Sequence, residues 1–340
     1  MWCNSRLTLR TLLHSLPVLM DSLRVKISLG LVLAALSVCC LRAQSLNEQI
    51  RRAAELSDEG EFSQTVQLLA PLLEAQGDNN DPVFGIIWNL YGSALQSTGD
   101  QEKARRAYER AIELLRSAPT EQGHLASALD NLGSLKAEMG QLLESQSLRI
   151  RARNLYESVG DDAGVARASA NLALVALSQR KLKGMRQFLK DAFAAEAHVA
   201  TPDAGDLAAL YSTKALERNA SRDPGGALIY IDKAIQIWTE HYGRRYYLLT
   251  DGYSLRGQLE AELNDREQAV NDCEHSLEIL RQHGDQSSRT YFLVEVGYAK
   301  VLRHFGMGKD ADQLEEAAQR GLDSTRNSCP GCSISADSFR

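Results

Sequence analysis

The chain reads as an all-α solenoid, an array of about seven helical hairpins. Three observations predict it. Alanine and leucine dominate, aromatic residues are only 6%, and β-branched residues are sparse, a helix-forming composition. Small residues recur at Ala53, Gly92, Gly133, Ala173, Ala215, Gly257 and Ala299, at spacings of 39 to 42 residues. Two further rows keep that frame. Twelve residues on lie Thr65, Ala104, Ser145, Met185, Ala227, Ala269 and Ala311, and nineteen residues on lie Leu72, Ala111, Ala152, Ala192, Ala234, Ser276 and Ala318. A period of this length is the signature of stacked helix pairs, each burying its apolar face against its neighbours.

With 340 residues, 44% hydrophobic and 24% charged, the chain has the composition of a globular protein rather than a disordered one. A formal charge of −6 argues against nucleic acid as a partner, which calls for a basic stripe.

The segment 1–43 reads apart from the repeats. Arg24 and Lys26 precede the uncharged run Ile27–Leu41, and Ala43 stands just before Gln44. A basic start, a short apolar core and a small residue at the exit describe a secretory signal peptide, with Met20 as an alternative true start. The run is short for a membrane span, which needs about 20 apolar residues. The expected location is therefore periplasmic or secreted; the alternative is a membrane anchor formed by a retained N-terminal segment. Removing 1–43 leaves a net charge of −10, which suits a soluble protein.

The solenoid is expected over 44–322. In each unit a Gly or Ala at the helix crossing lets two backbones approach, and Ala elsewhere in the row predicts that Gly and Ala are interchangeable there. Large residues such as Trp88, Tyr108, Ile231 and Trp238 fill the volume between the rows. Turns within the pairs are expected at Gly60, Thr98–Asp100, Gly140, Asp223–Gly226, Asn264–Asp265 and Gly306–Gly308. Arg149 and Glu315 break the apolar pattern and predict weaker units.

Trp88-Asn-Leu-Tyr91-Gly92, followed by Ala104-x3-Tyr108 and Ala111, resembles the tetratricopeptide repeat. The longer period is similar to the kinesin-light-chain type, and the bacterial exported class fits the leader. The resemblance implies a right-handed superhelix whose concave groove binds a peptide or a partner protein, with no small-molecule cofactor. It also implies a non-enzymatic scaffold or adaptor. The alternative is a sensor or regulatory module acting on a separate enzyme, for example a protease, in trans.

The residues offer little catalytic chemistry. Gly306-Met307-Gly308-Lys309 lacks the strand and the Ser or Thr of a phosphate loop. Cys273, with His275 nearby, falls at a core position without metal-ligand spacing, so no metal site is expected. The tail, 323–340, carries Cys329-Pro-Gly-Cys332, for which a local disulfide is favoured in an oxidising compartment over free thiols or a redox pair.

Asn131-Leu132-Gly133 and Asn171-Leu172-Ala173 repeat one element a unit apart. In the kinesin-light-chain-type repeats an Asn there projects into the concave surface and holds a ligand's backbone amide. The resemblance therefore implies Asn131 and Asn171 as peptide-holding residues, with Arg167 and Arg303 adding selectivity for acidic segments. The bland alternative is that both Asn bridge neighbouring helices.

Overall fold

The computed structural model describes residues 46–77, 79–283, 286 and 288–327. The leader 1–43, Met20 and the pair Cys329 and Cys332 lie outside the described residues. Residues from Ala53 onward form one compact unit.

Among the described residues there are seven helix pairs and no strand. They are α1 (46–58) with α2 (Phe62–Gln76), α3 (Pro82–Ser97) with α4 (Gln101–Arg116), and α5 (Gln122–Glu138) with α6 (Leu142–Val159). Next come α7 (Asp162–Ser178) with α8 (Leu182–Glu196), and α9 (Ala204–Ala220) with α10 (Pro224–Tyr242). The last two pairs are α11 (Leu249–Glu262) with α12 (Arg266–Gln282), and α13 (Arg289–His304) with α14 (Gly308–Asn327). None of the described helices is long and apolar enough to cross a membrane.

Each pair turns on one left-handed residue: Gly60, Gly99, Gly140, Arg180, Arg222, Asn264 or Gly306, with φ between 59° and 88°. It stands seven positions after the small residue of the same unit, so turn and crossing share one frame. The next backbone N–H reaches back to close the first helix, as in Asp100 to Leu95 at 2.9 Å and Lys181 to Ala176 at 2.8 Å. Two turns differ from expectation. The fourth uses Arg180, which carries no composition signal. The fifth uses Arg222, while Asp223 caps α10 by accepting the Gly226 N–H at 2.9 Å and Pro224 opens the helix.

The rows pack as close contacts. All seven residues of the Thr65–Ala311 row are fully buried. The row at nineteen is buried from Ala111 onward, whereas in the first pair Leu69 and Leu73 take the core and Leu72 is half-exposed.

Gly and Ala are not interchangeable at the crossings. A Cβ on Gly92 would lie 2.8 Å from the Tyr108 ring, and on Gly133 2.9 Å from Arg149 Cγ. On Gly257 it would lie 2.8 Å from the Ala269 carbonyl oxygen. These units pack a larger side chain or the backbone itself where other units leave room for a methyl.

The first helices of successive pairs pack side by side, α3 on α5, α5 on α7, α7 on α9 and α11 on α13. The fifth and sixth pairs share an apolar cluster that takes in Tyr242, Tyr246 and Leu248 from their joint. The array also curls back on itself. The Phe62 ring meets the Tyr247 ring edge-on at 5.2 Å, and Gly60 lies under the same tyrosine, so the first pair touches the joint before the sixth.

Candidate functional site

The first helices carry a polar ladder across the repeats. Asn131 of α5 donates from Nδ2 to Asn89 Oδ1 of α3 at 3.0 Å, and Asn89 donates to Ser127 Oγ at 3.3 Å. One step on, Asn171 of α7 donates to Asp130 Oδ2 of α5 at 2.7 Å. The two expected Asn thus bridge neighbouring helices by the same geometry. Each is half-buried and spends one N–H on its rung. Its side-chain oxygen and second N–H remain for a further partner.

Arg149 of α6 stands behind the ladder, buried between two first helices. It donates to the Asn171 carbonyl at 2.6 Å and to Ser134 Oγ at 2.7 Å, and its Nε lies 3.8 Å from Asp130 Oδ1. Burial pulls its pKa down, against the pull of Asp130 and Glu138. The residue that interrupts the apolar row is therefore tied into units 3 and 4 by two hydrogen bonds, while its Nε and Asp130 Oδ1 are buried without one. Glu315, the other interruption, is half-exposed and binds Arg303.

A third step pairs Arg167 of α7 with Asp206 of α9 at 2.7 Å, the guanidinium also reaching Tyr156 OH at 3.2 Å. Arg303 lies apart, bound at 2.7 Å to Asp312 and at 2.7 Å to Glu315 of its own pair. The structure brings Asn131, Asn171 and Arg167 onto three successive helix contacts and leaves Arg303 in the last pair.

Asp251 is solvent-exposed, yet desolvation holds its carboxyl above the usual range. Glu138 is likewise exposed and held up by burial, against a hydrogen bond from Gln96 and the charge of Arg289.

Elsewhere, a hollow of about 520 Å³ between α12, α13 and α14 is lined by Glu274, His275, Glu278, Arg281, Glu295 and Tyr298. Tyr298 OH donates to Glu274 at 3.1 Å. Cys273 is buried, and burial with nearby Asp272 pushes its thiol up to about 12, a packing sulfur rather than a nucleophile.

Asp130, Asn89 and Asp206 carry no role in the sequence reading, and Arg149 stands there only as a cation in an otherwise apolar row.

A solenoid of paired helices with a polar inner face defines a class of repeat protein. A tetratricopeptide repeat family model matches residues 86–114, the second pair. That pair is similar to a tetratricopeptide repeat, and the other pairs repeat its helix–turn–helix form. No curated protein sequence matches it.

Among solved structures, the apo form of RapI is similar with a TM-score of 0.60 and 10% identity, over 82% of this chain and 99% of that one. The Rap conjugation gene regulator of the plasmid pLS20, in complex with the Phr* peptide, is similar with a TM-score of 0.56 and 12% identity, over 85% and 98%. The Cut9-Hcn1 hetero-tetramer of APC/C is similar with a TM-score of 0.59 and 13% identity, over 80% of this chain and 48% of that one. At these identities the likeness is one of fold.

Proposed function

We propose that the protein is a non-enzymatic scaffold that holds an extended peptide, or a segment of a partner protein, along the inner face of its first helices. The observation that carries this is the polar ladder across the first helices, where Asn131 and Asn171 each spend one side-chain N–H on a neighbouring helix. The unspent valences of Asn131 and Asn171 suit a backbone amide, which offers donor and acceptor together. An acidic segment would have to compete with Asp206 for Arg167 and with Asp312 and Glu315 for Arg303.

A second reading is a regulatory module that passes ligand occupancy to a separate enzyme in trans; the Rap conjugation gene regulator of similar fold carries a bound peptide. We place the protein outside the cytoplasm, with cleavage near Ala43 and a Cys329–Cys332 disulfide.

The test is capture of partners by wild-type and Asn131→Ala/Asn171→Ala proteins. Loss of a partner from a double variant that remains folded supports the groove, and a recurrent enzyme among the partners favours the second reading. N-terminal sequencing of the natural protein, expected to begin at or near Gln44, tests the location.

A further inference from the structure

Where the first pair meets the later joints, four carboxylates lie within electrostatic reach of one another, Asp58 and Asp203 exposed, Asp206 half-buried and Glu196 buried. Glu196, the last residue of α8, is only 9% exposed, and its Oε1 is buried without a hydrogen-bond partner. The charges of Asp203 and Asp206 at the start of α9 act on it, and that of Asp203 on Asp58, two residues from the Gly60 that meets Tyr247. Only Asp206 has a cation, Arg167 at 2.7 Å. Asp58, Glu196 and Asp203 make no ion pair among the described residues. The start of α9 accounts for Asp203, whose Oδ1 accepts the Asp206 N–H at 3.0 Å. It does not account for Glu196 or Asp58.

The wall beside the carboxylates is aromatic. Tyr242 and Tyr246 stack at 4.2 Å, and the Tyr242 hydroxyl lies against Gly205, between Asp203 and Asp206 in the chain. Tyr247 covers the far side through Phe62. Arg244 and Arg245 of the same joint are exposed and form no ion pair with the cluster. An unpaired buried carboxylate is strongly unfavourable unless a partner brings positive charge. Carboxylates beside aromatic faces suit an organic cation. A metal ion fits less well, because no group of three His, Cys, Asp or Glu side chains among the described residues is arranged to hold one.

We propose that the seam formed by Asp58, Glu196, Asp203, Tyr242 and Tyr246 binds the ammonium or guanidinium group of a Lys or Arg side chain in the peptide ligand. This rests on the peptide-binding reading and gives it a charge: the ligand is basic at this point. Burial and mutual repulsion already hold the Asp58 and Glu196 carboxyls above their usual range, and an incoming cation relieves both.

The test is calorimetric titration of the full chain with tri-arginine amide, tri-glutamate amide and calcium chloride. Tri-arginine amide is expected to bind at least about tenfold more tightly than tri-glutamate amide, and Glu196→Gln to weaken it by about tenfold. The same substitution should raise the melting temperature, because it removes an unpaired buried charge; Asp58→Asn provides a second variant at the seam's other wall. Equal affinity for the two peptides, undiminished binding in both variants, or full displacement by millimolar calcium would overturn the proposal. Tri-arginine binding that survives Asn131→Ala/Asn171→Ala but not Glu196→Gln supports the cation site while counting against the groove reading alone.

Discussion

Asn171 donates its carboxamide N–H to Asp130 across one repeat at 2.7 Å, and its backbone carbonyl accepts from Arg149 of the intervening helix at 2.6 Å. Three helices are tied at one point, with a buried carboxylate and a buried guanidinium on either side of the same asparagine. Stacked repeats otherwise depend on apolar contacts with near neighbours, so this knot sets the register of the third unit against the fourth.

Arg149→Ala should be among the most damaging single substitutions in the chain. It strands Asp130 and frees the Asn171 carbonyl, for an expected loss of about 3–5 kcal/mol. Chemical denaturation checks it. Arg149→Met combined with Asp130→Asn should recover much of that loss, because neither buried charge then lacks its partner.

The two asparagines should separate. Asn171→Ala removes a donor to a buried carboxylate and is expected to cost about 1–3 kcal/mol. Asn131→Ala removes a bond to Asn89, which keeps its own bond to Ser127, so its melting temperature should fall less. Equal losses would mean that the two rungs do not differ in burial as they do in the structure.

Gly257→Ala should destabilise despite the alanines elsewhere in that row. Its new methyl would meet the Ala269 carbonyl oxygen at 2.8 Å, and backbone yields less readily than a side chain. The expected cost is about 1–3 kcal/mol. Ala173→Gly, at the same position two units earlier, should cost only about 1 kcal/mol through helix propensity. Thermal melts of the two variants decide the order.

Stability should have two pH windows of opposite sign. Burial and the nearby Asp272 push Glu260 up to about 7, against the pull of Arg256, so the folded chain holds that proton more tightly than the unfolded one. Its contribution is full below the ordinary value of 4.5 and is lost as pH rises through about 7. Glu217 behaves in reverse. Burial works against its charged form, yet hydrogen bonds from Lys214, Arg186 and Ser221 hold it at about 2. Its contribution is present above 4.5 and is lost as pH falls towards 2. Melting temperature followed from pH 3 to pH 8 should show Glu260→Gln flattening the upper window and Glu217→Gln the lower one.

The sequence alone determined the helical class, the period and the register of the pairs. A residue that must sit where two backbones touch is restricted in size, and that restriction repeats visibly with the unit. The fully buried row from Thr65 to Ala311 and the turn residues Gly60, Gly99, Gly140 and Gly306 could all be read this way. Tertiary structure decided everything that depends on what lies opposite a residue. Gly257 and Ala173 share one row, but only Gly257 faces a backbone carbonyl too close for a methyl. Arg180 turns its pair without any turn signal, because the helices on either side hold it in the left-handed region. Arg149 breaks the apolar pattern, and only the fold supplies Asp130, Ser134 and the Asn171 carbonyl that make its burial tolerable. Asp58 and Asp203 stand 145 positions apart in the chain and come within electrostatic reach only because the array curls back on itself. Periodicity records the contacts that every repeat makes; those that one repeat makes with a distant one leave no period to read.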